Sequence, residues 1–123
     1  MAQRGQTIPA IAGAALTART IVKLSASATV ITCAAATDQP IGVAEFDTPI
    51  GLPVGVIVDG VAKVTAGAAF PAGARLTADA SGRAVAAAPA AGTNNGIIGI
   101  AYQAAGALGD QVDVLIAPSV FQG

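Results

Sequence analysis

Apolar positions along this chain recur with a period of two, not with the 3.6-residue period of a helix. Five runs carry the pattern: Arg19–Leu24, Thr29–Cys33, Val54–Asp59, Gly60–Thr65 and Gln111–Ile116. Each is short, rich in β-branched residues and bounded by Gly, Pro, Asp or Ser, as strands between turns are. Asp59-Gly60 sits between two runs and predicts a tight hairpin. Asp79-Ala-Ser-Gly82 predicts a second hairpin turn, with Gly82 suited to a positive φ. Asn94-Asn-Gly96 predicts a third turn. Fifteen glycines and seven prolines punctuate the chain too often for long helices. The Ala-rich stretches at 84–92 and 101–108 have room for a helical turn at most, because Pro89, Gly92 and Gly106 interrupt them. The pattern predicts an all-β fold, a small barrel or sandwich of short, mainly antiparallel strands.

The pattern also repeats. Ile41-Gly-Val-Ala44 recurs 57 positions later as Ile98-Gly-Ile-Ala101. Each copy is followed by an alternating strand and preceded by a hairpin: Thr20–Leu24 with Thr29–Cys33 in one case, Arg75–Ala78 with Arg83–Ala87 in the other. Two similar β-units packed together account for this. Alternatively, the motif marks two strands where glycine admits a close backbone approach. The chain divides into an extended N-terminal arm over 1–18, a single β-domain over 19–118 and a C-terminal tail over 119–123.

Composition changes what such a fold can do alone. Of the 123 residues 54% are hydrophobic but only 3% aromatic and 11% charged, and Ala and Gly dominate the apolar share. An alanine buries a single methyl group, worth about 0.8 kcal/mol per buried carbon. A monomer of this composition has a weak core, and burial against neighbouring copies would couple its stability to assembly.

The net charge of −1, with Arg4, Arg19, Lys23, Lys63, Arg75 and Arg83 scattered along the chain, leaves no patch for nucleic acid. No run approaches the roughly 18 apolar residues of a membrane span, so no membrane partner is expected. A secretory signal in residues 1–18 is disfavoured by Pro9 and Gly13 within its apolar stretch. The single Cys33 excludes an internal disulfide.

The chemistry-bearing residues are sparse. Histidine is absent, which removes the commonest general base and metal ligand. Cys33, inside a predicted strand, reads as a buried inert thiol. Glu45 and Asp47 would share a strand face, but no calcium-loop spacing or second tuned acid accompanies them. Asp38, Asp59, Asp79 and Asp110 stand in turn contexts, where aspartate caps nearby backbone. Gly96-Ile-Ile-Gly99 lacks phosphate-loop spacing. Phe46, Phe70, Tyr102 and Phe121 read as core anchors or interface plugs. The expectation is a protein that is not an enzyme, with no catalytic, metal or cofactor residues.

The ordered set "TDQPIGVAEFD", "AGAAFPAGARLTADASGRAVAAA" and "GIIGIAYQAAGALGDQVDVLIAP" resembles the small capsid decoration, or cement, proteins of tailed bacteriophages over residues 16–118. The resemblance implies a structural virion protein on the capsid exterior, a homotrimer at local threefold sites that bridges major capsid subunits and stabilises the shell. Rival readings are a β-rich binding or adhesin module and a tail-tube or connector subunit. Residues 2–15 are expected to form the attachment arm. Gln3-Arg-Gly-Gln-Thr7 is polar, Pro9 forces an extended or turning path, Ile8 and Ile11 would plug apolar sockets, and Arg4 would pair with a partner carboxylate. The alternative is an arm folded back on the β-domain as an edge strand.

Overall fold

The computed structural model describes residues 7–88, 92 and 94–122, the last three by their backbone. These form β1 (Thr7–Ala12), β2 (Ile21–Ala26), β3 (Thr29–Thr32), β4 (Gly42–Ala44), β5 (Pro53–Ile57), β6 (Gly60–Thr65), β7 (Arg75–Ala78), β8 (Ala84–Ala86), β9 (Asn94–Ala101) and β10 (Gln111–Gln122). No helix occurs among the described residues. The first five strands close into a barrel ordered β1-β3-β2-β4-β5, and the last five form a sheet ordered β6-β10-β9-β7-β8. Read round from β1 through β5, the barrel runs β1-β5-β4-β2-β3, which matches the sheet strand for strand. The fold is all-β and made of two similar units.

The motif that suggested the repeat lies on β4 and β9, and glycine is required there for a steric reason. A Cβ on Gly42 would run into the carbonyl oxygen of Ile57, and one on Gly99 into that of Leu115. Ile57 and Leu115 occupy matching places, paired with Val43 and Ile100 respectively. The motif therefore marks both the repeat and the close approach.

Smaller junctions repeat as well. Leu16 and Thr48 exchange backbone hydrogen bonds in the first unit, as Phe70 and Ala105 do in the second. Leu16 and Phe70 are both buried and plug the same end of their units. The Gly13 N–H donates to Val30 O at 2.8 Å, and the Gly67 N–H to Ala84 O at 2.7 Å.

The barrel interior packs Ala10, Ala12, Leu16, Val22, Val30, Ala44, Val54 and Val56. A second cluster fills the other unit and draws in Ile21, Cys33 and Val43 from the first. That explains why Ile21-Val22 and Val43-Ala44 are buried at consecutive positions despite the period of two. Val22 and Ala44 face the barrel interior, while Ile21 and Val43 face the neighbouring unit. The 33–40 connector also crosses over: the Gly96 N–H donates to Ala36 O at 2.8 Å, and the Thr77 hydroxyl lies 2.7 Å from Gly96 O and 3.1 Å from Ala36 O.

From Thr7 to Ala12 the expected arm is a barrel strand, antiparallel to β5 and parallel to β3. Its alternation is hard to see because the inward Ala10 and Ala12 are no more apolar than the outward Pro9 and Ile11. Pro9 is tolerated because β3 pairs only with Ile11 and Ala12, leaving one side of Pro9 without a ladder partner. At the other terminus β10 continues to Gln122 through the segment expected as a tail.

Two expected turns are corrected. Asp59-Gly60 joins β5 to β6 but makes no hairpin, because β5 pairs with β1 and β4 while β6 pairs with β10. Asn94–Gly96 opens β9, with Gly96 packed under Asp38 O.

Candidate interaction surface

The β4–β5 connector, residues 45–52, contains Phe46, Ile50 and Leu52 among Gly, Pro and Thr. Apolar side chains without strand or helix periodicity have no core face to point into, and these three are 62%, 68% and 50% exposed. The loop is nevertheless held along its length. The Ala18 N–H donates to Asp47 Oδ1 at 2.7 Å. The Leu16 and Thr48 amides donate to each other's carbonyls at 2.8 and 3.0 Å, and the Thr48 hydroxyl donates to Phe46 O at 3.0 Å. At the far end the Gly51 N–H donates to Ala12 O at 2.8 Å, and the Ala12 N–H to Leu52 O at 3.0 Å. A loop fixed this way presents apolar side chains with little conformational entropy left to lose on binding. Grouped exposed apolar residues mark interaction surfaces more often than scattered ones do.

The expected contact residues fall differently around this loop. Ile11 is exposed on β1 and pairs with exposed Pro53, the residue after Leu52. Pro9 is exposed opposite Gly55. Ile8 is half-buried and packs against the barrel core, so it is spent on its own domain. Arg4 lies outside the described residues. Asp79 and Gly82 lie away from this loop, at the seam between the units. Asp79 Oδ1 accepts from the Ser81 and Arg83 N–H groups at 2.8 and 2.9 Å, and Gly82 has a φ of 75°. The reading of the sequence kept Phe46 as an anchor or plug but missed Ile50 and Leu52. The signal available was their setting in Pro49-Ile-Gly-Leu-Pro53, where apolar residues alternate with turn formers.

The polar groups are used structurally. Asp38 Oδ2 accepts from the Ala34 N–H at 2.9 Å, Asp59 Oδ1 from the Gly60 N–H at 2.8 Å, and Asp110 Oδ2 from the Gly106 and Ala107 N–H groups at 2.9 and 3.1 Å. The Ala34 hydrogen bond, helped by Lys23 at 3.0 Å, holds the Asp38 carboxyl below the usual carboxylate range. Burial, and secondarily the charge of Asp38, pushes the Cys33 thiol up to about 12, so it is not a nucleophile near neutral pH. Asp47 Oδ1 accepts from the Ala18 N–H, which ties the β4–β5 connector to the segment before β2. No three of His, Cys, Asp and Glu come together among the described residues.

The second unit offers Tyr102 and Leu108 on its β9–β10 connector, both exposed. Its outer face also carries Ile100 and Leu115 side by side across β9 and β10. Beside them is a shallow hollow lined by Gly73, Ala74, Arg75, Ala86, Ala87 and Ile100.

A family model described as phage cement protein matches residues 2–116. Among solved structures, the N base of head fiber gp8.5 of bacteriophage phi29 superposes with a TM-score of 0.69 at 22% identity, over 96% of this chain and 98% of that chain. At that identity the likeness is one of fold. No curated protein matches the sequence significantly.

Proposed function

The chain belongs to the phage cement protein family, and on that premise we propose that it binds the outside of an icosahedral phage capsid and stabilises the shell by bridging major capsid subunits. It is a structural protein of a phage virion. In this reading it acts as a homotrimer and does no catalysis.

The observation that carries the reading is the apolar connector held rigid in solvent, with Phe46, Ile50 and Leu52 exposed and the backbone pinned at both ends. A shell subunit that covers these side chains gains the free energy of apolar burial without ordering the loop. Exposed Ile11 extends the contact along β1. A trimer engages several shell subunits at once, and each further contact forms at a high effective concentration. A partner that binds only the assembled lattice shifts the equilibrium towards that lattice.

The test is cosedimentation with particles lacking the protein. Wild type pellets with the particles and raises their rupture temperature. The Phe46→Ser/Ile50→Ser double variant keeps its own melting temperature but stays in the supernatant. Undiminished pelleting of the double variant would remove the loop from the interface, and no pelleting of wild type would end the cement reading for this chain.

A further inference from the structure

The β4–β5 and β9–β10 connectors end in the same turn. In the first unit the turn Pro49–Leu52 closes with the Leu52 N–H donating to Pro49 O at 3.3 Å, and in the second Ala107–Asp110 closes with the Asp110 N–H donating to Ala107 O at 3.3 Å. The third residue is glycine in both, Gly51 at a φ of 86° and Gly109 at 94°, and each faces open space. The neighbouring strand grips both turns alike. The Gly51 N–H donates to Ala12 O and the Ala12 N–H to Leu52 O, at 2.8 and 3.0 Å. The Gly109 N–H donates to Ala66 O and the Ala66 N–H to Asp110 O, at 2.8 and 2.7 Å. The apex residue is Ile50 in one turn and Leu108 in the other, 68% and 61% exposed.

The fold does not ask for an apolar apex. A turn of this kind needs glycine at its third position and accepts most residues at its second. Around the apices the connectors differ. Gln103 stands where the first unit has Phe46, and its side chain accepts from the Asp113 N–H at 3.1 Å. Asp110 stands where the first unit has Leu52, and its carboxylate caps the Gly106 and Ala107 N–H groups. Those substitutions turn apolar contact residues into structural ones, yet a large aliphatic side chain stands in solvent at both apices.

We propose that the two apices are one binding element used twice: Ile50 and Leu108 enter the same apolar socket on two different shell subunits, so that each single chain ties two subunits together. The inference rests on the cement reading and deepens it by naming the second contact. Matched tips on one chain fit a partner that repeats, and a shell built from many copies of one subunit presents the same socket at neighbouring positions. The second connector is also continuous with the first. Asp47 of the first is bonded to the Ala18 N–H, Arg19 O accepts from the Thr65 N–H at 3.0 Å, and the adjoining Ala66 holds the second turn. Both connectors thus border one seam, and a surface running along it has both within reach. Once Ile50 is seated, Leu108 meets its socket at a high effective concentration.

The test uses particles lacking the protein. In cosedimentation Leu108→Asp should weaken binding at least about 10-fold, as the loss of one buried leucine side chain does. Its own melting temperature should stay that of wild type, since the side chain stands in solvent. In a second measurement Ile50→Cys and Leu108→Cys each carry a photocrosslinker, attached at the introduced thiol because Cys33 is buried. After irradiation on particles, digestion and mass spectrometry should find both probes on the same segment of the shell subunit. Probes on different segments overturn the proposal. So does a Leu108 probe that reaches only another copy of this chain or nothing, and so does unchanged binding of Leu108→Asp. In each of those outcomes wild type still pellets and the cement reading stands. Wild type that does not pellet ends that reading, and this inference with it.

Discussion

In the first unit β1 lies between β3 and β5, so that sheet has no free edge. In the second, β6 touches β8 only through the parallel Ala66–Ala84 bridge, and Arg19–Ile21 of the first unit enters the gap. Topology and turn positions are shared, yet one unit closes on itself and the other closes on its neighbour. Closure removes an edge that could pair wrongly. The open partner gains a different property: Ile21, Cys33 and Val43 become part of its core, so the second unit is not complete without the first. The same positions also take different residues. Arg19 and Ala28 have φ of 65° and 52° where the second unit has Gly73 and Gly82 at 88° and 75°. The first unit thus tolerates a strain that the second avoids.

The largest expected effect tests whether the two units behave as one. Gly42→Ala and Gly99→Ala each drive a methyl group into a carbonyl oxygen across the sheet. Each should lower stability by at least about 3 kcal/mol, and each should move a single melting transition, because the units share a core. Two separate transitions in either variant would show that the shared cluster does not couple them.

An intermediate effect tests the turn equivalence. At Gly82 a side chain would meet Thr32, and its Cβ would sit 3.2 Å from Ile21 O and 3.3 Å from Cys33 O. Gly82→Val should cost about 2 kcal/mol through backbone strain and crowding of the seam. Ala28→Gly, at the matching exposed turn, should instead gain up to about 1 kcal/mol. Thermal melts decide it, and a loss for Ala28→Gly would break the equivalence.

The smallest effect concerns the 33–40 connector, which reaches over the second unit. Asp38→Asn removes the ion pair with Lys23 and weakens the acceptor for Ala34. The pair is close to the surface, so the cost should be about 1 kcal/mol or less. The folded state holds this carboxyl below its ordinary range, so its contribution is present above about pH 4 and fades as pH falls further. Melting curves of wild type and variant should therefore differ at pH 7 and converge in acid. A constant gap down to pH 2 would assign the effect to packing.

What the sequence determined by itself was local. β-Branched residues alternating between Gly, Pro and Asp specify strands and turns without reference to the rest of the chain. Four of the aspartates cap the backbone N–H groups that their turn contexts called for. The recurrence of Ile-Gly-hydrophobic-Ala disclosed the duplication, because a shared backbone approach demands the same glycine twice. Partner choice was legible only in the tertiary structure. Asp59-Gly60 has the chemistry of a hairpin turn, yet the strands on either side join different sheets. Thr7–Ala12 reads as part of an attachment arm with Ile8 and Ile11 as plugs, yet its alanines point into the barrel. Alanine is small enough to be indifferent between core and surface, so a chain dominated by it does not announce which face is inside. The exposure of Ile100 and Leu115 was decided the same way, since the matching row of the first unit has a neighbour to cover it and theirs does not.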